Sequence, residues 1–329
     1  MTTRRLTGNI AINIGIALSS ALATSGTLPA FAQSYPSKPI RIVASNIGSP
    51  QDVVPRILQA RLAEYLGQPI LIEGRTGAGG VIAAGEVAKS APDGYTILSA
   101  ADNLPTAHHL IKQIPYDGLK AFAPITRLVS APPVLAANAA FAPRNLSEFI
   151  TFAKSNPGKV TLANSGSGTR GHIASAMLAG ETGIELNLVP FKGAAPVGIA
   201  LLGGEVNSAF VQPIALVQHV RSGKMKALAV AGKTRVAQFP DTATVAELIP
   251  GFEAVSWFGV LAPANTQREV VLRLNREFIR AAAQPESREK IAGIGLNVDT
   301  TTPEEFTAFL EMESEKFGKV IRQYKITAD

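Results

Sequence analysis

Pro-Ile-Arg-Ile-Val at residues 39–43 is the first of three short apolar runs that indicate the fold of this chain. The other two are Pro-Ile-Leu-Ile at residues 69–72 and Tyr-Thr-Ile-Leu at residues 95–98. Helical patterns separate the runs at residues 52–66 and 81–89, and the apolar residues of the first pattern lie on one stripe. Strands that alternate with helices are typical of α/β units built around a mainly parallel sheet. The opening hundred residues therefore predict a β-α-β-α-β unit.

A second unit of the same kind follows in the middle of the chain. We predict its strands at residues 160–163, 186–189, 207–211 and 225–230, and its helices at residues 172–181, 196–203 and 214–222, with a further helix at residues 147–156 before the unit. Amphipathic helices at residues 269–283 and 303–324 close the chain. The sequence thus predicts two α/β domains.

Two further apolar runs, at residues 128–138 and 253–262, are long enough to pass from one domain to the other. They indicate that residues 133–257 form an inserted domain, while residues 33–132 and 258–329 share the other domain. A two-stranded connection permits hinge closure over a ligand. From spacing alone, two domains joined in tandem stay an open alternative.

Composition excludes several classes of function. The chain is 46% hydrophobic and 17% charged, which is typical of a globular protein and not of a disordered chain or a coiled coil. It has no cysteine, which excludes disulfides, thiolate metal sites, a cysteine nucleophile and a lipidated N-terminal cysteine. The net charge of +6 comes from scattered basic residues, so we expect no nucleic-acid binding.

The first 32 residues have the pattern of an export signal. Arg4 and Arg5 precede an apolar stretch at residues 10–23, and Ala-Phe-Ala at residues 30–32 is a small-x-small cleavage motif. The apolar stretch is shorter than the roughly 20 residues that a bilayer-spanning helix needs. We therefore expect residues 1–32 to be a signal peptide, cleaved after Ala32, and the rest of the chain to be periplasmic.

Two loops share one physical construction, in which a strand is followed by a short polar turn with glycine and then by a helix. They are Asn-Ile-Gly-Ser-Pro-Gln-Asp at residues 46–52 and Asn-Ser-Gly-Ser-Gly-Thr at residues 164–169. Unpaired backbone N–H groups at a helix start can bind a carboxylate or phosphate, and glycine permits a close approach. Alternatively, both loops are ordinary turns whose polar residues only cap their helices.

No catalytic constellation or metal site is indicated. Gly-Ala-Gly-Gly at residues 77–80 has Ile82 where a dinucleotide fingerprint needs its third glycine, and it follows the second strand of its unit instead of the first. None of the four histidines has metal-ligand spacing. His172 either orders the second loop by a hydrogen bond or simply packs. We expect no enzyme activity, cofactor or metal.

Several stretches together resemble one family of binding proteins. They are Tyr-Pro-Ser-Lys-Pro-Ile-Arg-Ile-Val at 35–43, Leu-Gly-Gln-Pro-Ile-Leu-Ile-Glu at 66–73, Val-Ala-Lys-Ser-Ala-Pro-Asp-Gly-Tyr at 87–95, Gly-Ser-Gly-Thr at 166–169, Phe-Lys-Gly at 191–193, Ser-Trp-Phe-Gly at 256–259 and Thr-Pro-Glu-Glu-Phe at 302–306. From about Tyr35 to its end, the chain is similar to the extracytoplasmic receptors of the tripartite tricarboxylate transporter group, often called the Bug family.

The resemblance implies a two-domain periplasmic binding protein of the type II, Venus-flytrap kind, monomeric and without a cofactor, in which two crossover strands form the hinge. It implies that a small carboxylate is held between the lobes for the membrane subunits of a transporter. The sequence does not show which membrane protein the receptor would serve, so an orphan sensory receptor stays an alternative. A periplasmic enzyme acting on a carboxylate is the other alternative. The implied ligand-binding residues are Gly48, Ser49, Asp52, Ser165, Gly166, Ser167, Gly168, Thr169, Phe191, Lys192 and Gly193.

Departures from the family pattern limit the chemical class of the expected ligand. The first loop is about one residue shorter than in the family and lacks one of its glycines. Ala200, Asn207 and Val211 stand where the family often has acids. An ammonium group would lack a partner if those positions face the cleft, which favours a plain mono- or dicarboxylate, aromatic ones included, over an amino acid. Lys192 either pairs with a second carboxylate or is simply solvated.

Overall fold

Two β-sheets covered by helices organise the chain in the computed structural model, which describes residues 1–2, 35–166 and 168–327. The strands are β1 (Ile40–Ala44), β2 (Ile70–Gly74), β3 (Thr96–Ala101), β4 (Phe122–Ala131), β5 (Val134–Asn138), β6 (Val160–Asn164), β7 (Leu186–Pro190), β8 (Ser208–Val211), β9 (Met225–Val230), β10 (Ser256–Pro263) and β11 (Asn297–Val298). The helices are α1 (Pro50–Leu66), α2 (Val81–Ala88), α3 (Ala107–Leu110), α4 (Leu146–Ser155), α5 (Arg170–Thr182), α6 (Ala194–Gly203), α7 (Val217–Arg221), α8 (Arg268–Ala282), α9 (Pro285–Gly293) and α10 (Pro303–Gln323).

The first sheet has the strand order β11-β4-β10-β3-β1-β2. Strand β1 pairs in parallel with both β2 and β3, and Ile42 lies beside Ile72 on one side and Ile97 on the other. The predicted β-α-β-α-β unit is therefore confirmed. Strand β10 pairs antiparallel with β3 and β4, which adds the end of the chain to the sheet formed by its beginning.

Helix α1 shows how the sequence forms this layer. Val54, Leu58 and Leu62 recur at helical spacing and are buried, so they bring one face of the helix into the core of the first sheet. The helix begins at Pro50, two residues before the predicted start, because the first turn needs no N–H bond from proline. It ends at Leu66, and the C-cap residue Gly67 that follows has a φ of 67°, which favours glycine.

The second sheet has the order β7-β6-β8-β5-β9. Strand β6 pairs in parallel with β7 and β8, while β5 runs antiparallel to β8 and β9. Its two faces are covered by separate apolar clusters, one around Phe149 and Leu162 and the other around Val197 and Leu201. The α/β class and the two-domain architecture are thus as predicted. We call the first sheet with its helices the first lobe, and the second sheet with its helices the second lobe.

The first connection between the lobes differs from the prediction of one strand at residues 128–138. Strand β4 ends at Ala131 in the first sheet, and β5 begins at Val134 in the second sheet. Pro132 and Pro133 separate them. Proline has no N–H to donate to a strand ladder, so the dipeptide interrupts pairing where the chain changes sheets.

The return connection also differs from the prediction, since β10 begins at Ser256 and lies wholly in the first sheet. Residues 231–254 stay in the second lobe, where Val245 and Phe252 pack in the cluster around Phe149, and they contain a single 3-10 turn at Val245–Glu247. The chain therefore crosses back just before Ser256. The Ala254 N–H donates to the Ala231 carbonyl and the Ala231 N–H donates to the Pro133 carbonyl, both at 2.9 Å, so the two connections lie close together. The domain limits at residues 132/133 and 257/258 stay a prediction.

Helix α10 makes a third link between the lobes. Phe306 and Leu310 in its first half pack in the first lobe with Trp257. Phe317 and Ile321 in its second half pack in a cluster with Ile173 of α5, which belongs to the second lobe. Within the described residues, no helix is long and apolar enough to cross a membrane. The predicted signal peptide lies outside the described residues.

Candidate ligand-binding cleft

A cavity of about 300 Å³ lies between the two lobes. Both lobes contribute to its wall through loops that connect strands to helices. Of the predicted binding residues, those that line it are Gly48, Ser49, Ser165, Gly166, Thr169, Phe191, Lys192 and Gly193. Asp52, Gly168 and the loop-ordering candidate His172 lie behind this wall, and Ser167 is outside the described residues.

The first predicted loop turns sharply at Gly48, where a φ of 74° favours glycine. The Gly48 N–H donates to Oδ2 of Asp52 at 3.3 Å, and the Ser49 hydroxyl donates to the Asn46 carbonyl at 2.7 Å. Asp52 also forms an ion pair with Arg56 at 2.7 Å. The Asp52 carboxylate thus fixes the loop from behind instead of facing the cavity.

The second predicted loop is held by its own polar side chains. The Gly166 N–H donates to Oδ1 of Asn164 at 3.0 Å, and the Thr169 hydroxyl donates to the Gly166 carbonyl at 2.7 Å. The Gly168 N–H donates to Nδ1 of the buried His172 at 3.3 Å, which requires Nδ1 to be unprotonated. This contact is the one that a loop-ordering role for His172 requires.

The loop after β7 brings the Phe191-Lys192-Gly193 stretch to the cavity. The Phe191 N–H donates to the Asn164 carbonyl at 3.0 Å, which ties this loop to the second predicted loop. The Lys192 side chain is exposed at the cavity wall. The geometry leaves its ammonium group in reach of solvent.

Sequence reasoning missed the Gly-Ala-Gly-Gly turn as part of the cavity wall. Residues 76–80 line the cleft from the first lobe. A Cβ built on Gly166 would stand 3.6 Å from the Cα of Gly79, so two glycine backbones meet where the lobes approach each other. The sequence carries a signal for this role, since a glycine-rich turn stands between a strand and a helix, as in the two predicted loops.

Four helices begin at this one cavity. The N-cap residues of α1, α2, α5 and α6 all line it, and they are Ser49, Gly80, Thr169 and Gly193. The start of a helix carries unpaired N–H groups and a partial positive charge. Two helix starts come from each lobe, so the partial positive charges of four helices surround the same cavity, although the N–H groups of Arg170 and Ala194 at the starts of α5 and α6 already donate to side chains of the first lobe.

A buried polar network at the cavity wall was also missed. Asp102 follows β3 in the first lobe, and its Oδ2 lies 3.8 Å from Nε of Arg170 in the second lobe. Arg170 also pairs with Glu313 of α10, which accepts the indole N–H of Trp257 at 3.2 Å. Burial raises the pKa of Asp102, and the Arg170 guanidinium opposes that shift.

The charged side chains on the described part of the wall are Asp102, Arg170 and Lys192. Asp102 and Arg170 lie against each other, so the described wall offers no spare carboxylate to a ligand ammonium group. Much of the remaining wall is apolar and includes Phe210, Val211, Ile214 and Phe258. The cavity therefore suits a negatively charged molecule with an apolar body. Among the described residues, no group of three His, Cys, Asp or Glu could hold a metal ion.

Comparison with known protein families agrees with this geometry. Residues 54–326 match the model of a family described as "Tripartite tricarboxylate transporter family receptor". The chain is 35% identical over 307 residues to protein BugT of Bordetella pertussis, which covers 92% of this chain and 94% of that protein.

Solved structures of similar proteins share the fold. Rpa4515 of R. palustris with adipate superposes with a TM-score of 0.86 at 28% identity, covering 89% of this chain and 99% of that one. MatC of Rhodopseudomonas palustris with bound malate gives a TM-score of 0.83 at 31% identity, covering 87% and 100%. The periplasmic binding protein BugD gives 0.85 at 32% identity, covering 90% and 100%.

Proposed function

This chain belongs to the tripartite tricarboxylate transporter receptor family, and we propose that it captures a small carboxylate in its cleft for a membrane transporter of that type. It is a solute-binding receptor of a periplasmic family. We further propose that the receptor acts as a monomer, that its partner is the transporter, and that it is exported to the periplasm with cleavage after Ala32.

The convergence of four helix starts on one cavity supports the proposal most strongly. One helix start contributes about 0.3–1 kcal/mol toward binding an anion, and more in a partly buried site. Micromolar affinity corresponds to about −8 kcal/mol. Direct hydrogen bonds from the loop amides, together with closure of the lobes that excludes water, supply the difference.

The cavity size limits the ligand to small molecules. A volume of about 300 Å³ lies at the lower end of the range for ligand pockets, which suits a small dicarboxylate or an aromatic monocarboxylate. Adipate in Rpa4515 and malate in MatC belong to the same size class. An amino-acid ligand is disfavoured because its ammonium group finds no spare carboxylate on the described wall.

A thermal-shift screen of the purified protein tests this proposal. The panel contains adipate, malate, benzoate and the uncharged diamide of adipic acid, because ligands of the native state raise the melting temperature. We expect at least one acid to raise it and the diamide to leave it unchanged. Chromatography of the recovered acid then checks for conversion. No shift with any acid, or a shift with the diamide, contradicts the proposal, and conversion of the acid would indicate an enzyme.

The Thr169→Val variant tests the role of the second loop. Valine keeps the shape of threonine but removes the hydroxyl that donates to the Gly166 carbonyl at the cavity wall. We expect calorimetry to show affinity weakened about tenfold, because loss of one hydrogen bond costs about 1 kcal/mol or more. Thr151→Val is the matched control, since its hydroxyl donates to the Ser147 carbonyl on an exposed helix. Equal affinity of the two variants would contradict the assignment of the loop.

A further inference from the structure

None of the four helices that begin at the cavity is capped by the side chain of its own N-cap residue, and two of them, α5 and α6, belong to the second lobe. Thr169 precedes α5 and Gly193 precedes α6, and neither makes a side-chain capping bond. Helix α4 in the same lobe differs, because the Asn145 side chain accepts the Glu148 N–H at 2.9 Å. The first N–H groups of α5 and α6 therefore need acceptors from elsewhere.

Those acceptors come from the opposite lobe. Oδ1 of Asp102 accepts the N–H of Arg170, the first residue of α5, at 3.0 Å. Oδ1 of Asn46 accepts the N–H of Ala194, the first residue of α6, at 3.1 Å. Asp102 directly follows β3, and Asn46 lies two residues after β1, so both acceptors stand just beyond strand ends of the first lobe. Each bond crosses the cleft from one lobe to the other.

The surrounding backbone leaves room for the Asn46 cap. A Cβ built on Gly193 would lie 2.9 Å from Oδ1 of Asn46, a distance too short for an ordinary contact. Gly193 also has a φ of 115°, which favours glycine. The lack of a side chain at this position thus allows the Asn46 amide to reach the start of α6.

We propose that Asn46 and Asp102 are positioning residues that hold the receptor closed by capping α5 and α6 across the cleft. The two bonds require the lobes to be together, so each one stabilises the closed arrangement relative to an open one. The link to ligand affinity rests on the proposed receptor function. A ligand that binds only the closed arrangement loses affinity in proportion to the closed fraction that a variant loses.

Asn46→Ala tests the proposal, with Asn145→Ala as the matched control. Loss of a helix cap changes an equilibrium about fivefold. In Asn46→Ala we expect amide hydrogen exchange at Ala194 to be about fivefold faster and solution scattering to show more widely separated lobes. In Asn145→Ala, which loses a cap within one lobe, exchange at Ala194 and the lobe separation stay as in the unmodified protein.

Asn46→Asp separates the cap from the charge at this position. The carboxylate still accepts the Ala194 N–H, so we expect protection of that amide to return, while adipate and malate bind more weakly because an anion now lines the cleft. Unchanged Ala194 exchange and lobe separation in Asn46→Ala would overturn the proposal. Amide exchange at Ala194 and lobe separation are both measured without a ligand. If the unmodified protein binds no acid, the proposed function is refuted, but these two measurements still test the capping proposal.

Discussion

The guanidinium carbon of Arg170 lies 3.5 Å from the centre of the Phe317 ring. Arg170 begins α5 of the second lobe, whereas Phe317 belongs to α10, whose first half packs in the first lobe. A cation over an aromatic face is attracted by the ring, and burial strengthens that attraction. Side-chain packing therefore joins the lobes in addition to the two chain connections.

Phe317→Ala removes the ring from this inter-lobe cluster. Phe317 is buried against Ile173 and Ile321, so its loss leaves a cavity and an Arg170 side chain without its aromatic partner. We expect the free energy of unfolding, measured with urea, to fall by about 3–5 kcal/mol. Met312→Ala on an exposed part of the same helix should change it by less than about 0.5 kcal/mol. If the free energy of unfolding falls as little in Phe317→Ala as in Met312→Ala, the cluster contributes little to stability.

The strands and helices that bury one regular face could be predicted from the sequence. The apolar runs of β1, β2 and β3 are short and separated by clear helical patterns, so the alternation of strands and helices could be predicted. Helix α9 was missed because its buried residues in the structure are Ser287 and Ile291, too few to give a periodic signal. The interrupted crossover at residues 132–133 shows that two prolines outweigh an otherwise continuous apolar run.

The loops of the candidate site could be predicted for a different reason. Glycine and small polar residues between a strand and a helix constrain the backbone locally, so the sequence carries that signal. The contact of Asp102 with Arg170 joins residues 68 positions apart, and only the packing of the two lobes creates it. No local spacing encodes such a pair, which is why sequence reasoning missed the network.

Lys192→Met tests whether the cleft binds one or two carboxylates. The Lys192 ammonium group stands at the cavity wall with access to solvent. If it pairs with a second carboxylate, affinity for adipate should fall about threefold to tenfold, while affinity for hexanoate stays the same, because exposed pairs contribute up to about 1 kcal/mol. Calorimetry measures both ligands. Lys233→Met, on an exposed lysine that pairs with Glu253, is the control. Equal losses for both acids would argue against a second-carboxylate role.

Gly48→Ala compares backbone strain at the cleft with the same strain elsewhere. Gly48 and Gly67 have φ values of 74° and 67°, and a Cβ on Gly67 would meet nothing within 4 Å. Each alanine should cost about 1–2 kcal/mol of stability. Only Gly48→Ala should also weaken acid binding, since relief of strain moves the loop and its new Cβ touches Ala195 of the other lobe. Unchanged affinity in Gly48→Ala would place the first loop outside the binding site.

Glu247 gives a prediction for acid pH. The Arg235 guanidinium hydrogen-bonded to Glu247 lowers the pKa of that carboxyl to about 2, with a further contribution from the Thr244 N–H. A lowered carboxyl pKa stabilises the fold above its unfolded value of 4.5, and this stabilisation is lost as the pH falls through about 2. Glu247→Gln should therefore lower the urea midpoint at neutral pH. The difference from the unmodified protein should vanish near pH 2, and a gap independent of pH would contradict the prediction.

Arg170→Met should destabilise the protein more than Glu313→Gln does. Arg170 lies between the carboxylates of Asp102 and Glu313, so its removal leaves two buried acids near each other without a cation. Breaking a buried ion pair by removing one partner typically costs about 3–5 kcal/mol. Glu313→Gln leaves Arg170 beside Asp102, so a partner for the guanidinium is retained.

The pH dependence separates this electrostatic cost from lost packing. Burial raises the pKa of Asp102, and the Arg170 guanidinium opposes that rise, so Arg170→Met should raise the pKa of Asp102 further. A raised carboxyl pKa means that the folded state binds a proton more readily than the unfolded state, and stability then increases as the pH falls. Urea unfolding should show the deficit of Arg170→Met shrinking from about pH 7 to about pH 4. Arg170→Met also loses the contact with Phe317, and the strength of that contact does not depend on pH in this range. A loss of stability that is the same at every pH would therefore assign the effect of the substitution to packing alone.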